Sequence, residues 1–217
     1  MKKIIKVTIL MALMGIGTLK GITGIGVGVQ GGVNMANVYG DYVDSLKQSI
    51  DIENQIAPVI GVNVCKKYMP FLGMQLELYA LSGKGYKMET SFLGTKVEGK
   101  LKISYFEVAP LIKVHPPMPG SPVKVGLLVG PYFDILEKGE TEMKIADSTS
   151  TEEVTDSLKT SDYGITVGPW IKFKVAPLVS FEISGRYWMG FSKIDKDDVD
   201  DIKNKGFAII AGVKFSL

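Results

Sequence analysis

Apolar and polar residues alternate along most of this chain, the pattern of β-strands that have one apolar face and one polar face. In residues 72–80 the apolar face would carry Leu72, Met74, Leu76, Leu78 and Ala80, and the opposite face Gly73, Gln75, Glu77 and Tyr79. Helical spacing is nearly absent. The alternation predicts eight strands, at residues 24–35, 56–65, 72–80, 101–114, 123–135, 163–173, 179–189 and 207–217.

The segments between the predicted strands alternate in length. Three short segments carry turn residues and lie at residues 66–71, 115–121 and 174–177. Four longer, more polar segments lie at residues 36–55, 83–100, 137–161 and 192–205. Short periplasmic turns, long extracellular loops and an even number of strands are typical of outer-membrane barrels. The predicted fold class is therefore all-β, an eight-stranded, antiparallel, up-and-down transmembrane β-barrel.

The alternation does not tell whether the apolar rows face a core or lipid, because a soluble lipocalin-like barrel and a membrane barrel are inverses of each other. The second face is rich in glycine, as in residues 24–35 with Gly26, Gly28 and Gly32. Glycine makes a poor solubilising surface, whereas inside a narrow barrel it relieves crowding. We therefore expect the apolar rows to face lipid, with a soluble ligand-binding barrel as an alternative.

Aromatic residues near the predicted strand ends would suit the girdles that flank the lipid-facing band of a membrane barrel. Aromatic residues are also common in strands of any kind, so each assignment has that simpler explanation. The predicted girdle residues are Tyr68, Phe71, Tyr105, Tyr163, Phe173, Tyr187 and Phe215.

Charged residues recur on the face that would point into the barrel. The predicted interior cluster consists of Glu77, Glu107, Lys113, Lys124, Asp134, Lys172, Glu182, Arg186 and Lys214. Charges within a membrane protein often serve a proton or ion pathway. A closed eight-stranded barrel has no open channel, however, and acids and bases inside it can neutralise one another. We favour this second interpretation, a plug of ion pairs.

The first residues have the order of a secretory signal peptide. Lys2, Lys3 and Lys6 give a basic start, and a short apolar stretch at residues 9–16 is followed by glycines. This stretch is too short to cross a membrane as a helix. We therefore predict a signal peptide at residues 1–21 and a barrel domain at residues 22–217, with an ordinary N-terminal strand as the alternative.

Composition removes several classes of function. The net charge of +2 gives no reason to expect a nucleic-acid partner. A single cysteine, Cys65, excludes an intrachain disulfide and a cysteine-rich metal site. The one histidine, His115, precedes two prolines in a predicted turn, a weak basis for a Ser-His-Asp triad or a histidine metal site. The aspartates of residues 195–201 lack the glycine of a calcium-binding EF-hand loop. No catalytic residue, cofactor or metal is expected.

Six segments, in order, resemble those of the PorT-like outer-membrane β-barrel domain family. They are GVQGGVNMANV at 28–38, LGMQLELYALSGKGYKM at 72–88, YFEVAPLIKV at 105–114, VKVGLLVGPYFDIL at 123–136, SFEISGRYWMGFSKI at 180–194 and FAIIAGVKFSL at 207–217. Together they cover nearly all of the predicted mature chain. The resemblance implies a barrel of this class and no catalytic set, since the family is functionally mixed, with members linked to secretion or to cell-envelope integrity. This chain departs from the family at Ala109, where a branched aliphatic residue is common, and at its last three residues, which lack a final aromatic.

These observations predict a non-enzymatic outer-membrane protein that is a structural or interaction component of a Gram-negative cell envelope. The expected partners are outer-membrane lipid, the barrel-insertion machinery during assembly, and extracellular or envelope proteins that contact the long loops. We expect a monomer that binds no nucleic acid. A small-solute channel or transporter is the main alternative, and a barrel-type lipid-modifying enzyme is the least favoured one.

Overall fold

The computed structural model describes residues 24–47, 50–92, 95–145, 148–196 and 201–216, and the predicted signal peptide at residues 1–21 lies outside them. Within the described residues, no helix has both the length and the apolarity to cross a membrane. In chain order the elements are β1 (Ile25–Tyr39), helix α1 (Asp41–Leu46), β2 (Asp51–Met69), β3 (Leu72–Phe92), β4 (Thr95–Val114), β5 (Val123–Ile145), β6 (Ser148–Glu153), one 3-10 turn (Thr155–Ser157), β7 (Ser161–Lys174), β8 (Val179–Lys193) and β9 (Lys203–Ser216).

Eight of these strands form a closed antiparallel ring. Each pairs with its neighbours along the chain, β5 pairs with β7, and β1 pairs with β9 to close the ring. The sixth strand lies outside the ring and pairs with the far end of β5. Turns at residues 70–71, 115–122 and 175–178 lie at one end of the ring, which we call the turn end. The other connections, with the long hairpins of β3–β4 and β5–β6, lie at the opposite, hairpin end. The predicted eight-stranded up-and-down barrel is confirmed.

Two of the predicted long loops are largely strand, which corrects the sequence-based boundaries. Residues 83–100 form the outer parts of β3 and β4, which pair with each other up to Phe92 and Thr95. Residues 137–161 continue β5 and add β6. These segments lose the lipid-facing apolar row but keep their backbone pairing, because beyond the lipid the outward face of a hairpin can be polar. Strand period alone therefore finds where the lipid-facing row ends, and it misses where the strand ends.

The apolar rows face outward and the polar rows face inward. Ile56 is 67% exposed and Leu127 58% exposed, whereas Glu77 and Gln75 on the opposite face are 0% and 1% exposed. A soluble barrel would require the reverse, so the lipocalin-like alternative is wrong. A continuous outer band of aliphatic and aromatic side chains runs around the ring, as hydrocarbon requires of a closed sheet.

Most of the predicted girdle residues lie on the outer surface, and one does not. Tyr163 and Tyr187 are exposed near the hairpin end, where their rings contact Phe191 and Phe207. Tyr105, in contrast, is buried inside the barrel. It alternates in phase with the inward row of β4, so its side chain points away from lipid. The girdle assignment of Tyr105 is therefore wrong.

The inward glycines make room for large aromatic rings on the neighbouring strand. Four cross-strand pairs place an interior aromatic opposite a glycine: Tyr79 with Gly61, Tyr132 with Gly164, Trp170 with Gly126 and Trp188 with Gly206. A Cβ atom at any of these glycines would lie between 2.6 and 2.9 Å from the facing ring. A methyl group there would displace the ring, so the glycines allow aromatic side chains to fill a narrow interior.

Candidate functional site: the charged interior of the barrel

The middle of the barrel contains an arginine–glutamate pair that joins opposite strands. Arg186 on β8 donates from Nη2 to Glu77 Oε1 on β3 at 2.8 Å, and its Nη1 donates to Glu77 Oε2. The Tyr79 hydroxyl donates to Glu77 Oε2 at 2.8 Å and accepts from Gln30 Nε2 at 2.7 Å. Asn63 on β2 continues the chain of bonds to Gln30. The network therefore ties four strands together across the interior, and its geometry is bidentate and strongly hydrogen-bonded.

A second ion pair lies nearer the hairpin end and is centred on a fully buried lysine. Lys84 Nζ donates to Asp134 Oδ2 and lies 3.7 Å from Glu107 Oε2. The same ammonium group is 3.9 Å from the ring centroid of Tyr132 and 4.4 Å from that of Trp188. Carboxylates and aromatic faces thus surround the cation and replace its water shell.

Lys84 is an interior charge that the sequence pattern missed. The register of β3 shifts between Tyr79 and Ser82. Such a bulge exchanges the two faces of a strand, so odd-numbered residues point inward before it and even-numbered residues after it. Residue 84 also fell in a predicted loop. A sequence-based prediction that allowed a bulge at Ala80 and Leu81 would have placed Lys84 inside the barrel.

A third network lies towards the turn end. Lys113 Nζ on β4 and Lys214 Nζ on β9 donate to the same Glu182 Oε1, at 2.6 and 2.7 Å. Both lysines also contact Gln75 Oε1, and Gln75 Nε2 donates to Glu77 in the middle of the barrel. Glu182 Oε2 is buried, and among the described residues it has no hydrogen-bond partner. Two ammonium groups therefore share one carboxylate, and this level keeps an excess of positive charge.

The remaining two predicted interior residues are inward but unpaired. Lys124 on β5 and Lys172 on β7 are half-buried at the turn end, directly opposite each other in the strand register. In the described part of the chain neither has a salt bridge. Of the nine predicted residues, the structure thus joins seven in ion pairs and leaves these two lysines apart.

Asp162 on β7 is a further buried acid that sequence reasoning missed. It accepts hydrogen bonds from Ser192 and, at 3.0 Å, from Asn204 Nδ2. It lies one residue before the predicted start of this strand at residue 163, and the outward row of Tyr163, Ile165 and Val167 is the signal that would have marked its inward phase.

An apolar cluster closes the interior at the hairpin end. It is formed by Val38, Val43, Ile103, Tyr105, Leu136, Leu158 and Ile194, all buried. Val43 belongs to α1, which begins after Gly40; this glycine has φ 137° at a point where a Cβ would lie 1.6 Å from Asp201 O. Backbone bonds from Lys159 N to Ile194 O and from Ile194 N to Ile202 O fix the overlying segments. The glycine turn thus allows the helix to fold inward and complete the closure.

Comparison with known proteins agrees with this architecture. The profile of the family described as the outer membrane protein beta-barrel domain matches residues 20–196. No curated protein sequence matches the chain. The crystal structure of the outer membrane protein OprG from Pseudomonas aeruginosa is similar in fold, with a TM-score of 0.52, 10% identity, and coverage of 90% of this chain and 96% of that one.

Two other solved barrels are similar to this chain. Neisserial surface protein A has a TM-score of 0.47 and 12% identity, over 91% of this chain and 100% of its own. The attachment invasion locus protein Ail of Yersinia pestis has a TM-score of 0.43 and 15% identity, over 89% of this chain and 100% of its own.

Proposed function

The chain belongs to the outer membrane protein beta-barrel domain family and resides in the cell outer membrane, and from that premise we propose that it is a closed, non-enzymatic barrel that contacts other envelope components through its hairpin end. Its outer band would be solvated by outer-membrane lipid, and the insertion machinery would assemble it as a monomer. The observation that carries the proposal is the combination of a filled interior with ordered, charged hairpins beyond the lipid-facing row.

The filled interior argues against a solute path. At mid-height, between Asn34, Tyr79 and Arg186, the described residues leave a void of only about 20 Å³, close to the size of one water molecule. Above it the buried apolar cluster closes the hairpin end. A channel would need both levels to rearrange, and each is held by packing or by ion pairs. The small-solute channel is therefore the less favoured function.

The chemistry of the described residues also supports a non-enzymatic protein. The single histidine, His115, lies at the turn end with its ring 5.8 Å from that of Trp170, and its Nδ1 is 3.0 Å from the Pro116 carbonyl oxygen. Among the described residues there is no group of three or more histidine, cysteine or acidic side chains able to hold a metal. Neither hydrolytic nor metal-assisted chemistry has an evident set of groups here.

The hairpin end offers a rigid contact surface. The lipid-facing row of β5 ends at Ile135, yet this strand continues to Ile145 and pairs there with both β4 and β6. Ion pairs such as Lys100–Glu142, at 3.4 Å, lie along this extension. Met143 is nevertheless 47% exposed beyond the lipid region. An ordered sheet with an exposed apolar side chain is a favourable surface for protein contact, because little conformational entropy is lost on binding.

Within the family we propose the PorT-like subgroup. The support is the order of its segments on the strands: Glu77 lies on β3, Glu107 and Pro110 on β4, and the Gly130–Pro131–Tyr132 sequence on β5. Members of that subgroup linked to secretion or envelope integrity have a role of the kind proposed here.

Site-specific photocrosslinking in living cells tests the contact surface. A photoreactive residue at Met143, on the outer sheet, is expected to form a discrete protein adduct. The same residue at Leu127, on the lipid-facing band, is the matched control and is expected to form none. Absence of any adduct at Met143 and at neighbouring outer positions would remove the interaction role. In planar bilayers the protein is expected to show no conductance, and steady single-channel currents would instead favour a channel.

A further inference from the structure

The turn end of the barrel contains a cluster of lysines for which the described residues provide no acidic partner. We call it the lysine vestibule and define it as Lys67 on β2, Lys124 on β5, and Lys172 and Lys174 on β7. The four side chains line a cavity of about 800 Å³ together with the proline-rich turn at residues 115–122. A deeper cavity of about 220 Å³ shares three of these lysines and reaches Lys113 and Lys214.

The charge around these cavities is strongly one-sided. Within the described part of the chain, seven lysines but a single carboxylate, that of Glu182, line the two cavities. Glu182 already accepts hydrogen bonds from Lys113 and Lys214. Among the described residues, no salt bridge reaches any of the four vestibule lysines. The whole chain carries a net charge of only +2, so this excess is local.

The strand register makes the arrangement unfavourable unless an anion is present. Lys124 and Lys172 are direct cross-strand partners. Like charges in such positions destabilise a sheet, and because both side chains are half-buried, water and salt screen them less than at a fully exposed surface. Elsewhere in the interior, Lys84 and Arg186 each face a carboxylate. The vestibule is therefore the one level of the described interior where several cations converge on open space.

We infer that the lysine vestibule binds a phosphate group. Lysine binds phosphate as a point charge, and a polyvalent oxyanion neutralises several ammonium groups at once. The hydroxyl groups of Ser180 and Ser216 lie in the same lining and supply neutral donors. The outer cavity has the volume of a small-molecule site. Two sources carry this chemistry: a free phosphate or pyrophosphate, and the headgroup of an anionic phospholipid in the adjacent leaflet. The inference does not depend on the contact role of the hairpin end.

Binding of pyrophosphate to the refolded full-length protein tests the free-anion source. Isothermal titration at low ionic strength would compare the wild type with Lys124→Gln/Lys172→Gln. The matched control is Lys138→Gln/Lys144→Gln, which removes the same charge from the hairpin end. The wild type and the control are expected to bind alike. The vestibule variant is expected to bind about tenfold more weakly or worse, because two charged contacts are lost.

The lipid source is tested in nanodiscs of phosphatidylglycerol and of phosphatidylcholine. If the headgroup is the ligand, phosphatidylglycerol raises the unfolding temperature of the wild type and of the control more than that of the vestibule variant. Heat-modifiable gel mobility verifies folding, and Lys172→Gln alone replaces the double variant if that does not fold. The inference is overturned if neither pyrophosphate nor phosphatidylglycerol distinguishes the vestibule variant from its control.

Discussion

The middle of the barrel and its turn end use the same types of side chain in different ways. In the middle, Arg186 meets Glu77 from across the barrel, and every charged group of that pair is buried and hydrogen-bonded. At the turn end, Lys124 faces Lys172 across adjacent strands, and both remain half-buried and unpaired in the described structure. An inward charge in this barrel therefore does not have a single role. Paired charges hold the strands together, whereas unpaired ones leave binding capacity for an external ion.

The largest expected effect comes from breaking the middle pair. Arg186→Met leaves the Glu77 carboxylate buried without its cation, and we expect a loss of about 3–5 kcal/mol in the free energy of unfolding. Urea unfolding in lipid vesicles, followed by tryptophan fluorescence, measures it. The double variant Glu77→Leu/Arg186→Met is expected to recover at least half of the loss, because no lone charge remains.

Lys172→Met is the control for this comparison, since it makes the same kind of change at the turn end. Because Lys172 has no carboxylate partner among the described residues, this substitution leaves no buried charge unpaired. It is expected to change the free energy of unfolding by less than about 1 kcal/mol, and to be stabilising when no phosphate is present. Equal losses in the free energy of unfolding for Arg186→Met and Lys172→Met would mean that the middle of the barrel and its turn end do not differ in how their charges are paired.

A smaller effect is expected from the packing that surrounds the middle pair. In Gly164→Ala the new Cβ would lie 2.7 Å from the Tyr132 ring and 2.1 Å from the Met189 carbonyl oxygen. We expect a loss of about 1–3 kcal/mol in the free energy of unfolding, from overpacking. Gly185→Ala is the matched control, because its Cβ would have no heavy atom within 4 Å. A loss for Gly185→Ala as large as for Gly164→Ala would contradict a tightly filled interior.

The smallest effect concerns the water-exposed hairpin of β3 and β4, where charges are paired but not buried. Hydrogen bonds from Lys87 and Lys96 lower the pKa of Glu89 to about 2. The folded pKa lies below the unfolded value of about 4.3, so the contribution of Glu89 to hairpin order is present above that value and is lost as the pH falls towards 2.

Amide hydrogen exchange at residues 86–90, corrected for intrinsic rates, checks this pH dependence. Protection is expected to decrease between pH 5 and about pH 2.5 in the wild type. In Glu89→Gln the local protection is expected to be lower already at pH 5 and to change less with pH. An unchanged protection in the wild type over this range would show that the ion pairs do not order the hairpin.

The period of two in the sequence was sufficient to predict the ring and the side to which each row points. The period is informative because one face of every strand must meet hydrocarbon. Apolar residues such as Leu127 therefore point outward, and charged residues such as Glu182 point inward. The same period located most of the interior charges. Partners could not be predicted, because Glu77 and Arg186 are 109 residues apart and their contact depends on the diameter and stagger of the closed ring.

The features that were not predicted from the sequence lie mostly where the two-residue alternation is interrupted. The bulge after Tyr79 exchanged the faces of β3, so Lys84 was not recognised as an interior residue. The outer parts of β3 to β6 carry no lipid-facing apolar row, and apolar residues such as Leu101 and Ile103 face the interior there, so the outward row did not reveal these strands. Lys124 and Lys172 had the right phase, but only the register showed that they face each other.

The apolar closure at the hairpin end makes the barrel a cup rather than a tube. Val43 on α1 and Leu158 after the 3-10 turn form part of its floor at the hairpin end. The mouth of the cup opens at the turn end. Barrels of this class have their short turns in the periplasm. In that orientation, molecules outside the cell would meet the hairpin end, and the lysine vestibule would be open to the contents of the periplasm.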